Sequence, residues 1–184
     1  MGYDTNFTGH FTITPPLSSE LVQELNLFMD TRKMKRDNTI LMNDFQGEHS
    51  IKSFIYKNLP KDEDIYGEEG EFFYHEEDVS GTFNETHEKS ILNGNKPPKN
   101  MPGLWCGWKF SKDGSKLKWN KIEKFYCYID WLKYIRDTFL IPLNIVISGS
   151  VNFQGEDEDD NGIIICTDNK IKVHWISQGS KMIL

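Results

Sequence analysis

Residues 145–176 read IVISGSVNFQGEDEDDNGIIICTDNKIKVHWI, and this stretch decides the fold. Three segments rich in β-branched residues, 145–153, 162–167 and 170–176, are separated by polar turns, the second of them at Asp168-Asn169. Val, Ile and Thr suit a pleated, half-buried surface, and Asp and Asn tolerate the backbone of a tight turn. Strands joined by short turns lie antiparallel, because parallel neighbours need a crossover of a dozen or more residues. The stretch is therefore predicted to be a meander.

Upstream of it, Ile122, Phe125, Ile129, Leu132, Ile135 and Phe139 recur at helical spacing, and Pro142 closes that helix. Before the helix, 104–110 and 116–119 are predicted strands around Asp113-Gly114, a hairpin signal. The loop 94–103 (GNKPPKNMPG) precedes them. At the start of the chain, Phe7, Gly9, Phe11 and Ile13 alternate with Thr8, His10, Thr12 and Thr14, the period of a half-buried strand. Pro15-Pro16 stop it, and Ser18 or Ser19 can cap a helix with Leu21, Val22, Leu25, Phe28 and Met29 on one stripe. Its last turn is predicted to carry Arg32, Lys33, Lys35 and Arg36, a sign that suits a helix C-terminus. The sum is an α+β fold: a mainly antiparallel sheet covered by two helices, with an irregular acidic insertion. One domain, 1–184, draws its core from 1–37 and 101–176, with the insertion at 38–100. Within the insertion, 38–43 and 50–59 read as short strands or helix fragments.

The chain has 184 residues, 21 Lys+Arg against 28 Asp+Glu, and a formal net charge of −7. The charge is unevenly placed. Eleven acidic residues and no Lys or Arg fall between Asp62 and Glu88, so the rest of the chain is mildly basic. That run reads as a solvated excursion, although Tyr66, Phe72, Phe73, Tyr74 and Phe83 lie within it. The overall charge argues against long duplex DNA as a partner, because such binding rests on many phosphate contacts. No apolar run reaches the roughly 18–20 residues that span a bilayer, and the polar start predicts neither a signal peptide nor a membrane partner. Cys106, Cys127 and Cys166 show no CxxC spacing, which favours a reducing, cytoplasmic compartment and argues against a disulfide framework.

Five segments carry a resemblance. GYDTNF at 2–7, RKMKR at 32–36, PGLWCGW at 102–108, EKFYCYIDWL at 123–132 and QGED at 154–157 resemble those of a family of short, uncharacterised bacterial and bacteriophage proteins. The resemblance covers both ends of the chain and skips most of 38–100. It implies membership and carries no chemistry, since no activity is attached to that family. If the chain is phage-encoded, the compartment is the host cytoplasm.

Asp157, Asp159, Asn161 and Asp168 match positions 1, 3, 5 and 12 of an EF-hand loop, with Gly162 at position 6 and Ile164 at 8. The flanks are predicted strands where an EF-hand needs helices, so an acidic hairpin turn competes with a metal site. The five histidines show no metal-ligand spacing; His10 and His174 fall on strands and could meet if those strands were neighbours. Cys106 and Cys166 fall in predicted strands and Cys127 inside a helix, where thiols act as small hydrophobes. GxSxG, GxxxxGK[ST] and GxGxxG are absent, and no cofactor is implied.

Arg32, Lys33 and Arg36 with Trp105 and Trp108 form an aromatic and basic combination suited to holding a base and its phosphate. Trp105 and Trp108 are predicted on opposite faces of one strand. The expectation is a non-catalytic protein that binds a small anionic, nucleotide-like ligand, and in a phage setting one that sequesters a host defence signal. Two alternatives stand beside it. One is a metal-assisted hydrolase using Asp4, Glu156, Asp157 and a histidine. The other is an acidic interaction module built on 62–88. A homo-oligomer is compatible with all three.

Overall fold

Ten residues of the first strand pair with ten of the sixth, and the sheet grows outward from that ladder. The computed structural model describes residues 2–36, 91–97 and 101–176. The order is β1 (Thr5–Thr14), α1 (Ser19–Asp30), β2 (Lys35–Arg36), β3 (Ile91–Asn93), β4 (Trp108–Phe110), β5 (Lys116–Trp119) and α2 (Tyr128–Ile135). A π turn (Arg136–Leu140) and a 3-10 turn (Ile141–Leu143) lead to β6 (Val146–Gly155), β7 (Asn161–Thr167) and β8 (Lys170–Trp175). The expected meander is β6–β7–β8. The readings at 38–43, 50–59 and 62–88 lie outside the described residues.

Six strands make one antiparallel sheet in the order β4-β5-β1-β6-β7-β8, and β2 pairs separately with β3. With both helices this is the expected α+β arrangement. Register follows the alternation: Phe7 faces Phe153, Phe11 faces Gly149 and Ile13 faces Ile147. A slip of one residue would turn the whole apolar set to solvent. Both helices pack on the face that carries Phe7, Phe11, Ile13, Val151 and Ile164, in one core with Leu25, Phe28, Leu132 and Phe139.

Three sequence expectations change. The first helix ends at Asp30, because Thr31 turns extended and its hydroxyl and N–H both donate to Leu27 O. Arg32 and Lys33 therefore follow the helix, and Arg36 stands in β2. The second helix starts at Tyr128, not near Ile122, since Lys121, Lys124 and Cys127 hold positive φ and break the turns before it. Phe125 is buried all the same, from the loop. Finally, the strand expected at 104–110 is only Trp108–Phe110. Leu104 O accepts from Lys33 N and Gly107 O from Asn120 N, so these carbonyls serve loop contacts. A side chain at 107 would strike the Phe125 ring, its Cβ lying 2.5 Å from ring carbons, so glycine is required there.

The β4 edge is covered from the side. Asn26 of α1 donates to Phe110 O at 3.0 Å and accepts from Phe110 N at 2.9 Å, completing a strand edge that would otherwise be open. Among the described residues, no helix is long and apolar enough to cross a membrane.

Candidate functional site

Neither helix covers the other face of the sheet. The alternation that buries Phe7, Leu117, Val151 and Ile164 turns Thr8, His10, Lys116, Lys118, Ser150 and Asn152 outward. At the far edge, β8 adds Lys170, Lys172 and His174, and at the near edge β4 adds Lys109. The six strands hold these five lysines and two histidines, and no Asp or Glu. In a chain of net charge −7, the sheet is thus a local reversal of sign.

The ladders align these groups. Lys109 faces Lys118 at one side of the sheet, and a transverse row runs from His10 through Ser150 and Ile165 to Lys172 across the other four strands. Lys109 is already neutralised by Asp30 at 2.5 Å. Lys116, Lys118, Lys170 and Lys172 are exposed. Toward the β6–β7 loop the face becomes a shallow hollow of about 310 Å³, lined by Asn6, Thr8, Asn152, Gln154, Asn161 and Ile176. That is the lower end of small-molecule site volumes.

The residues singled out from sequence are dispersed or buried. Trp108 is wholly buried, and its indole donates to Tyr128 O at 2.9 Å. Lys33 is wholly buried too. Its ammonium donates to Met29 O at 2.9 Å and Thr31 O at 2.6 Å, closing the end of α1, and lies 4.8 Å from the Phe28 ring centre and 5.2 Å from that of Trp131. Desolvation pushes the Lys33 amine down to about 8, against the pull of Cys106 and Asp30. Neither side chain has a surface to offer a ligand. Arg32 donates to Asn95 Oδ1 at 2.8 Å, and Trp105 is 39% exposed. The 31–36 and 103–106 segments do meet, through Lys33 N–H to Leu104 O at 2.8 Å.

The EF-hand reading is overturned by topology. Asp157 and Asp159 belong to the β6–β7 loop and Asn161 opens β7, whereas Asp168 is in the turn at the other end of that strand, about 20 Å away for a seven-residue strand. The loop is a hairpin turn closed by Asp160 N to Asp157 O and Gly155 N to Asp160 O. Among the described residues, no group of three His, Cys, Asp or Glu is placed to hold a metal ion. Two of the three carboxylates expected to serve a hydrolase are structural ties: Asp4 accepts from Lys124 N at 2.9 Å and Glu156 from Asp4 N at 2.8 Å. The third, Asp157, is held through its backbone, its carbonyl accepting from Gln154 Nε2 and Asp160 N, while the neighbouring Asp160 carboxylate accepts from the Tyr3 hydroxyl at 2.6 Å. His10 and His174 do not meet, as β6 and β7 separate their strands.

The buried thiols are held protonated. Desolvation pushes Cys106 up to about 11 and Cys166 up to about 12, away from nucleophilic thiolate. Cys127, expected inside the helix, is the exposed residue before its first turn.

The cationic face was missed from sequence although its signal was present: KLKW at 116–119 and KIKVHW at 170–175 alternate a cation with an apolar residue. Compared with known proteins, the chain matches no family model, no curated protein and no solved structure.

Proposed function

We propose that this protein is a non-catalytic binding protein that captures a small anionic, nucleotide-like ligand on the open face of its sheet. One observation carries this: all six strands lack Asp and Glu, while Lys116, Lys118, Lys170, Lys172, His10 and His174 share one solvent-facing surface. Partial neutralisation by an anion relieves the mutual repulsion of such a surface, and exposed lysines lose little desolvation energy in doing so. Hydroxyls and amides between the cations, at Thr8, Ser150 and Asn152, add neutral hydrogen-bonding partners for sugar or phosphate oxygens. The protonated buried thiols and the separated histidines support capture over catalysis.

Calorimetric titration with nucleoside 5′-monophosphates and with pyrophosphate tests the proposal. Binding is expected to weaken with salt, as exposed charges are screened. Replacing Lys118 and Lys172 by Gln is expected to weaken it at least 10-fold at an unchanged circular-dichroism spectrum. Each lost charge-assisted hydrogen bond is worth about 1.5–3 kcal/mol. Arg32→Ala is the control. If Arg32→Ala abolishes binding and the lysine pair does not matter, the ligand sits at the 31–36 end and the open face is not the site.

A further inference from the structure

We infer that the free edge of β8 is a docking site for an extended acidic segment of another protein, which adds to the sheet as a further antiparallel strand.

β8 ends the sheet order and has β7 as its single neighbour, whereas the opposite edge, β4, is closed by Asn26. The ladder fixes which backbone groups the β8 edge leaves over. Ile176 N donates to Asn161 O at 2.9 Å, and Ile163, Ile165 and Thr167 follow in register with His174, Lys172 and Lys170. Bonded pairs alternate along an antiparallel ladder, so Lys170, Lys172, His174 and Ile176 turn their N–H and C=O groups to β7. Ile171, Val173 and Trp175 turn theirs outward, and no hydrogen bond reaches those groups among the described residues. Such a row is a template for strand addition.

The side chains sort the partner. Ile171, Val173 and Trp175 share the helix side of the sheet with their partners Cys166, Ile164 and Gly162. Ile171 and Val173 pack against the core, and Trp175 sets its ring edge-on to Phe153, 4.8 Å between centroids, while 58% exposed. An added strand with apolar residues on that side covers this half-open rim. Lys170, Lys172 and His174 stand on the other side, and β8 holds no carboxylate. At the Ile176 end, Asp157, Glu158, Asp159 and Asp160 lead into Asn161, so a partner's acids belong at the opposite end, against Lys170 and Lys172.

A second copy is the poorer occupant, because its β8 brings the same lysines and no acid. Edge lysines keep like strands apart, and the same charges attract an acidic one. Docking there uses the backbone of the edge, not the centre of the face, and stands or falls apart from small-anion capture.

The test is calorimetry and amide hydrogen exchange on the full chain with the peptide acetyl-Thr-Val-Thr-Val-Glu-Val-Glu-amide. In antiparallel register its valines lie opposite Trp175, Val173 and Ile171, and its glutamates opposite Lys172 and Lys170. Binding is expected, with slowed exchange at the Ile171, Val173 and Trp175 amides. The same peptide with Lys in place of Glu is expected to bind at least about 10-fold more weakly. So is the acidic peptide methylated on its valine nitrogens, which keeps the charge and loses the ladder bonds. Replacing Lys170 and Lys172 by Glu is expected to invert the order of the two unmethylated peptides. Equally tight binding of the methylated peptide would overturn strand addition and leave charge attraction to the open face. Protection of the same amides in the protein alone, with a dimer in sedimentation, would make a second copy the occupant and overturn the acidic partner. No binding at millimolar peptide, or binding without slowed exchange at those three amides, would overturn the edge as a docking site.

Discussion

Lys33 is a buried cation whose charge can be removed by pH, which makes its contribution measurable. In the unfolded chain its amine holds a proton up to about 10.5; in the native protein burial brings that down to about 8. Between those values the unfolded state binds more protons, so stability rises with pH through this window, by up to 1.36 kcal/mol per unit. The penalty of the buried charge is fully present below 8 and is relieved as the native amine deprotonates. From pH 7 to pH 9 the relief is on the order of 1 kcal/mol. Cys106 acts in the opposite sense. Its thiol ionises near 9 when unfolded and only near 11 when buried, so stability falls as pH rises past 9. Up to pH 9 this offsets about a few tenths of a kcal/mol. Lys33→Met keeps an unbranched side chain of similar length and removes the titration. Urea unfolding of both proteins under reductant at pH 7 and pH 9 gives four midpoints. The gap between wild type and Lys33→Met is expected to shift in favour of wild type by about 1 kcal/mol on going to pH 9. Parallel pH dependence of the two proteins would refute the burial of a charged amine beneath Phe28 and Trp131.

Phe125 and Leu132 are buried in the one core, and truncating either to Ala is expected to cost about 2–5 kcal/mol, read from the thermal midpoint. Thiol titration with an aromatic disulfide reagent is expected to modify Cys127 in the native protein and Cys106 and Cys166 only after denaturation, since the last two are buried and held protonated. Asn26→Ala removes both bonds to Phe110, and is expected to cost about 1–3 kcal/mol in urea unfolding and to speed exchange of the Phe110 amide.

What the sequence determined by itself was local and periodic. Two-residue alternation at 5–14 and in the last three strands set which side chains face inward, and the Leu21–Met29 stripe placed the first helix, because burial selects one face of each element whatever its neighbours are. Helix limits were less legible. Thr31 ended α1 through hydrogen bonds to Leu27, and three positive-φ residues delayed α2, and neither leaves a mark in apolar spacing. The motif-like acids failed because Asp157 and Asp168 are eleven positions apart along a chain that runs straight through β7 between them. Two members of the aromatic and basic set, Lys33 and Trp108, were lost to the core because exposure belongs to the assembled molecule: they differ from Lys118 and Trp105 only in what packs over them. Strand order was likewise beyond the sequence. Only the pairing of β1 with β6 separates His10 from His174, and brings Asn6 into line with Gln154 and Asn161 from the far end of the chain. Long-range pairing is decided by the total area the layers bury together, a property no segment holds alone.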